Sequence, residues 1–210
     1  MRDSVRSIVD LNVIIDFPKS EHHDKYRKEK GFKDLYLWTP ESLFYFYPDI
    51  QDIDVSFVGS VRYADRSNYL QELKQYFPTL VVAGGQRESG LTFSAYANLI
   101  RRSKININFS KNPQLGSYYQ LKGRVLEILA CKSLLIDEKN PATASFFTPN
   151  IDYVDFENIL ELKQKIEYYL THTEEREKIA SSGHKKLLEK YTARHFWMKV
   201  MQTIEHEGEN

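Results

Sequence analysis

The chain lacks most of the features that would settle its class at once. It has one cysteine, Cys131, which excludes an internal disulfide framework and fits a reducing compartment. Cys131 lies in an apolar run, the setting of a small buried hydrophobe rather than a nucleophile. Net charge is absent too, with 29 Lys and Arg against 29 Asp and Glu, so no global field advertises nucleic acid or an anionic membrane. No stretch approaches the roughly 18 apolar residues of a membrane span, and the opening MRDSVRSIVDLNVIIDF has no signal-peptide pattern. A cytoplasmic protein is expected. Neither GxSxG nor GxxxxGK(S/T) occurs, so nothing points to a hydrolase of that type or to a P-loop NTPase. There is no internal repeat.

What is present becomes regular from residue 53 onward. With 210 residues, 41% of them hydrophobic, the chain has core material for one fair-sized domain, or one domain plus an appendage. Residues 54–58 read as a short strand running into Gly59 and Ser60. Residues 67–76 have helical spacing (Tyr69, Leu70, Leu73, Tyr76), and 79–83 read as a strand ending at Gly84 and Gly85. An amphipathic helix over 92–102 (Phe93, Tyr96, Leu99, Ile100) leads to strands over 104–109 and 133–136, with Tyr153 and Val154 in another. Strands alternating with helices imply βαβ units, hence an α/β fold with a doubly wound parallel sheet. Such sheets bind ligands beyond the carboxyl ends of their strands, where Gly59, Gly84, Gly85, Ser110 and the turn after Asp137 fall. The tail predicts helices over 160–170, 173–190 and 193–206. A displaced capping box at Thr173 and Arg176 opens the second, and Thr192 is the N-cap of the third. Before residue 53 only residues 8–15 read as a strand. Residues 19–33 are charged without periodicity, and the aromatic, proline-broken stretch 35–48 reads as an extended connector.

The stretch QLKGRVLEILACKSLLID, residues 120–137, carries the most information. Its helix, residues 124–131, is apolar nearly all round, interrupted by Arg124 and Glu127. These are three apart and share one face, near a helix N-terminus whose free N–H groups favour an anion. A cation and a carboxylate there suit a ligand bearing both phosphates and hydroxyls. The alternative is a local Arg124–Glu127 ion pair at a solvated edge.

The motifs DVSFVGS, VVAGG, SKININFS, GRVLEILACKSLLIDE and FENILELKQKIEYYLTHTEEREKIASSGHKKLLEKYTARHFW follow one another in this order. They resemble the C-terminal, donor-binding half of a GT-B glycosyltransferase of the group 1 kind, and more narrowly the spore-maturation, CgeB-like family. The resemblance covers roughly residues 53–203. It implies a single Rossmann-like domain with C-terminal helices over 53–210, and a remnant of the N-terminal domain plus an aromatic linker over 1–52. It implies that Glu127 accepts hydrogen bonds from ribose hydroxyls and that Arg124 lies near the diphosphate. Gly59 and Ser60 would form the first glycine turn, Arg62 or Arg66 would add positive charge, and Gly84 and Gly85 would line the base or ribose pocket. The chemistry is consistent, since glycine permits close approach, Arg suits phosphate oxygens and a carboxylate suits a ribose diol. No cofactor is implied beyond a nucleotide-diphosphate sugar as substrate, and no metal.

The sequence departs from the family pattern in two places. Many retaining relatives carry a pair of glutamates eight positions apart, the second matching Glu127; the first falls here on Tyr119. The family usually has glycine after the helix cysteine, where the backbone turns left-handed; here Lys132 stands there, which would strain or rearrange the turn. The activity implied is transfer of a sugar, of the hexosyltransferase type, to an unknown acceptor, with a partner supplying the N-terminal half. The alternative is a non-catalytic nucleotide-sugar-binding or protein-interaction module.

Other candidates carry less. His22 and His23 are adjacent, so they point apart in a strand and chelate poorly together. His184 reads as a helix-surface residue. The rings of Tyr36, Trp38, Phe44, Tyr45, Phe46 and Tyr47 could stack bases, but without a basic stripe they read as core or interface. An exposed apolar patch there would mark a protein partner or self-association through residues 36–47.

Overall fold

The computed structural model describes residues 11–15, 33–61, 64–84, 91–112 and 118–207. His22, His23, Arg62 and Gly85 lie outside them. The alternation from residue 53 becomes five parallel strands: β3 (Ile53–Val58), β4 (Val81–Ala83), β5 (Ser103–Asn108), β8 (Leu134–Glu138) and β9 (Val154–Phe156), in the spatial order β4-β3-β5-β8-β9. Numbered within the sheet, this is 2-1-3-4-5, a doubly wound order that reverses between its first and third strands. The helices are α1 (Ala64–Tyr76), α2 (Phe93–Arg102), α3 (Gly123–Ala130), the short α4 (Pro141–Ala144), α5 (Ile159–Thr171), α6 (Thr173–Lys190) and α7 (Ala193–Glu207). Among the described residues no helix is long and apolar enough to cross a membrane.

Strand periodicity sorts the core into two halves. Val55 and Phe57 of β3, Ile105 and Ile107 of β5, and Leu134 and Ile136 of β8 meet Leu70 and Leu73 of α1 and Leu162 and Ile166 of α5 on one face. On the other, Val58 and Leu135 meet Ala97 and Ile100 of α2 and the apolar side of α3. This second face is partly polar. Ser56 donates to Asn106 at 2.9 Å, Ser103 donates to Ser56 at 2.7 Å, and Asn106 donates to the carbonyl of Ile100 at 3.1 Å. Those bonds satisfy groups that would otherwise be costly to bury.

Helix starts follow local chemistry. Thr92 accepts from Ala95 N–H at the start of α2, and Asn158 accepts from Glu161 N–H at the start of α5. Thr192 accepts from His195 N–H at α7 as expected. The capping box expected at Thr173 does not form: His172 is the N-cap residue of α6 and no side chain bonds its end amides. His184 is also more than a surface residue, because its Nδ1 lies 2.9 Å from the carbonyl of Leu129 in α3.

The segment before residue 53 needs larger correction. Residues 35–48 are not all connector: β2 (Lys33–Leu37) pairs in parallel with β1 (Leu11–Ile15). The expected exposed patch is broken as well. Trp38 and Phe46 are fully buried, Trp38 standing edge-on to Tyr191 and Phe196, with centroids at 5.0 and 6.3 Å. Phe44, at 79%, stays exposed, with Tyr45 and Tyr47 partly so. Proline and aromatic density disguised an inward-facing segment whose ring partners lie about 50 positions away for Phe46 and more than 100 for Trp38.

Lys132 takes φ 55, so the left-handed turn after α3 is kept rather than rearranged. Lys132 N–H bonds Leu129 O at 3.1 Å and Ser133 N–H reaches Ile128 O at 3.4 Å, the pattern of a Schellman C-cap. A side chain in this conformation costs about 1 kcal/mol or more. Lys132→Gly should therefore raise stability by about 1 kcal/mol, read as a higher urea midpoint at unchanged slope. A lower midpoint would show that the lysine is not strained.

Candidate functional site

The strand order reverses between β3 and β5, and doubly wound sheets bind ligands beyond the carboxyl ends of their strands at such a point. Gly59 follows β3, and Phe109 and Ser110 follow β5. Gly59 N–H bonds Ala83 O at 2.8 Å, which brings the ends of β3 and β4 together. Gly84, at φ 89, packs on the Gly59 backbone: a Cβ there would stand 3.2 Å from Gly59 N. The two glycine turns are therefore stacked on each other. Arg66, from α1, braces them. It donates to Ser60 O at 2.8 Å and to Phe109 O at 3.3 Å, and its guanidinium lies against the rings of Phe57 and Phe109.

Arg124 reaches the same place from the first turn of α3. A Cβ on Gly59 would stand 2.8 Å from Arg124 Nη2, so the guanidinium lies directly over that turn. Nη1 donates to Asn108 Oδ1 at 3.0 Å, the group sits over the Phe57 ring, and Nε is buried without a partner. Arg124 does not pair with Glu127; the local ion pair considered from sequence is not formed. The N-cap residue of α3, Lys122, makes no side-chain cap hydrogen bond, and Val125 N–H bonds the Lys122 carbonyl at 3.0 Å.

Glu127, one turn into α3, is 8% exposed. Tyr96 of α2 donates to its Oε2. Burial raises the carboxyl pKa, and the Tyr96 bond and Arg124 act against that rise. The Tyr96 hydroxyl is itself raised, by burial first and then by Glu127.

A second carboxylate stands nearby. Glu41 Oε1 lies 2.7 Å from where a Cβ on Gly123 would be, against the first residue of α3. Burial first, then Glu127, push its pKa up to about 7. Reading the sequence missed Glu41 and Tyr96. Glu41 was hidden in the connector, and Tyr96 was assigned only to the apolar face of its helix. The structure thus brings Gly59, Ser60, Arg66, Gly84, Arg124 and Glu127 to one end of the sheet. Cys131 is fully buried and its thiol is pushed up to about 12, chiefly by burial, which leaves it inert. Asp52 and Asp54 have the spacing of an Asp-x-Asp pair but lie at the amino end of β3, bonded to Arg102 at 2.7 Å and Lys104 at 2.6 Å.

A doubly wound sheet with glycine turns and an uncapped helix at its switch point has the architecture of a GT-B glycosyltransferase domain. Residues 42–202 match the glycosyl transferase-like family, and the chain belongs to it. No curated protein sequence matches it. Its fold is similar to that of TarM (TM-score 0.66, 10% identity, 93% of this chain and 43% of TarM). It is also similar to sucrose-phosphate synthase from Thermosynechococcus elongatus (0.64, 13%, 98% and 60%). A third similar structure is Anabaena Alr3699/HepE in complex with UDP and glucose (0.70, 11%, 98% and 66%). The chain thus spans about half the length of the first two.

Proposed function

We propose that this chain binds a nucleotide-diphosphate sugar at the β3–β5 switch point and that the sugar is transferred to an acceptor presented by a second protein surface. In this reading residues 53–210 are the donor-binding unit, of the CgeB-like kind, and no metal takes part. The observation that carries it is Arg124, a guanidinium held over a glycine turn at a helix start without a side-chain cap, with no acidic partner among the described residues. Such a group is short of acceptors, and phosphate oxygens supply them bidentately. The nucleotide in the Anabaena relative supports the same ligand class. Glu127 then takes ribose hydroxyls on the oxygen that Tyr96 leaves free. Transfer would rest on positioning and on stabilising the leaving diphosphate.

The test is calorimetric titration of UDP-glucose, GDP-mannose and the parent diphosphates into the chain. Binding supports the reading, and absence of binding across the set overturns it. A non-catalytic module is the second reading, favoured by Tyr119, which puts no carboxylate in β7 (Tyr118–Tyr119), the strand that pairs with β6 (Lys111–Asn112) ahead of α3. Donor turnover on adding an acceptor-bearing partner protein separates the two. Phe44 and Tyr47, exposed on residues 36–47, are where such a partner would rest.

The site should also respond to pH through Glu41. Its folded pKa, about 7, lies above the ordinary 4.5. The folded state therefore keeps this proton longer than the unfolded one, and the associated stability is lost as pH rises from about 4.5 through about 7. Ionised Glu41 would repel a diphosphate at the α3 start. Affinity for UDP-glucose, whose diphosphate diester does not titrate in this range, should fall about fivefold between pH 6 and pH 8. In Glu41→Gln the fall should be smaller, and a pH profile unchanged from that of the unaltered chain would remove Glu41 from the site.

A further inference from the structure

Behind Arg124 lies a buried polar network that the donor contacts do not use. Asp137, at the carboxyl end of β8, is fully buried, as are Asn108, Ser110 and Thr143. Its Oδ1 accepts from Asn108 Nδ2 at 2.9 Å and from Ser110 Oγ at 2.7 Å; its Oδ2 accepts from Thr143 Oγ1 at 2.7 Å. Thr143 in turn accepts from Asn140 Nδ2 at 3.1 Å. The same Nδ2 donates to the carbonyl of Gln120, just ahead of α3, at 3.2 Å, while Asn140 Oδ1 caps α4. One carboxyl therefore anchors two arms. The first runs through Asn108 to the Arg124 guanidinium, and the second runs through Thr143 and Asn140 to the backbone entering α3.

An amide presents one acceptor and one donor face. Because Asp137 and Ser110 take the Asn108 NH2 group, only Oδ1 is left toward Arg124. Turning the amide over would set NH2 against the guanidinium and carbonyl oxygen against the carboxyl, placing two like faces together. We infer, on the reading that Arg124 binds the donor diphosphate, that Asp137 is a positioning residue: through Asn108 it sets the acceptor that holds Arg124 over the Gly59 turn. A carboxyl buried without an ion pair is costly, and burial pushes this one up to about 7 against three hydrogen bonds that oppose it. Its Oδ1 remains an acceptor in either state if the proton goes to Oδ2, toward the rotatable Thr143 hydroxyl.

The test compares affinities for a nucleoside diphosphate and for its nucleoside, using whichever of UDP, GDP, ADP and CDP the unaltered chain binds best. Arg124 acts on the diphosphate alone, so Asp137→Ala should lower the diphosphate-to-nucleoside affinity ratio about tenfold and leave nucleoside affinity within about twofold. Asp137→Asn keeps Oδ1 and should restore the ratio. Thr143→Val, which cuts only the second arm and does not touch Asn108, should lower it by less than about threefold. If Asp137→Ala does not fold, Asp137→Ser replaces it with the same expectation. An unchanged ratio in a folded variant, or an equal loss with Thr143→Val, overturns the positioning role while leaving the donor site intact. Failure of the unaltered chain to bind any of the four diphosphates overturns both.

Discussion

Replacing Arg124 with alanine is expected to weaken nucleoside diphosphate binding about a hundredfold. If Arg124 holds the diphosphate as proposed, two hydrogen bonds to phosphate oxygens are removed, each worth roughly 1.5–3 kcal/mol before solvent access is discounted, and about 2.7 kcal/mol corresponds to a hundredfold. The residual binding should depend less on salt, because the screened charge has gone. Stability should fall only modestly, through loss of the bond to Asn108 and the contact with the Phe57 ring, since Arg124 has no ion pair among the described residues. Glu127→Ala should cost at least tenfold in affinity through the ribose hydroxyls. That variant also takes the acceptor from the partly buried Tyr96 hydroxyl, so Glu127→Gln, which keeps an acceptor, is the cleaner comparison. Calorimetry beside thermal melts separates the effects. Full affinity in a folded Arg124→Ala chain would remove the diphosphate from this end of the sheet.

The second large effect is structural. Gly183→Ala in the middle of α6 should destabilise the chain by about 3 kcal/mol or more. In an ordinary helix this change stabilises by roughly 1 kcal/mol, so the expected sign is reversed. A Cβ at position 183 would stand 2.2 Å from Asp152 O and 2.7 Å from Leu129 Cδ2. The carbonyl cannot easily retreat. Asp152 is tied by its N–H to Thr148 O at 2.9 Å, by Ser182 at 2.9 Å and by Lys186 at 2.6 Å. Urea denaturation checks the change, with Ser181→Ala as the helix control. A Gly183→Ala chain as stable as the original would mean that α6 does not press against α3 and the β9 loop as tightly as the structure has it.

Gly183 also shows what could be read without coordinates. The span of α6 was legible between Thr173 and the break before Thr192, though the capping box expected at its start does not form, and the need for glycine inside it was not legible. Nothing local distinguishes Gly183 from a tolerated helix glycine; the backbone carbonyl that forbids a side chain comes from Asp152, about thirty positions earlier. Arg124 and Glu127 were legible as an unusual charged pair on an apolar helix, yet their separate directions were not. One turns to Asn108 on β5, the other to Tyr96 on α2, and a three-residue spacing fits either that or a mutual ion pair.

The sequence by itself determined the alternation of strands and helices, the doubly wound parallel class and the glycine turns at strand ends. These follow from short-range periodicity and backbone sterics, which each segment carries within itself. Only the tertiary structure decided that Glu41 reaches the start of α3, that Trp38 and Phe46 are core, that Lys132 holds a left-handed turn, and that Asp137 lies behind Arg124. Each depends on contacts between residues far apart in the chain, where geometry in three dimensions, rather than spacing in one, sets which groups share a buried volume and which charges must find partners.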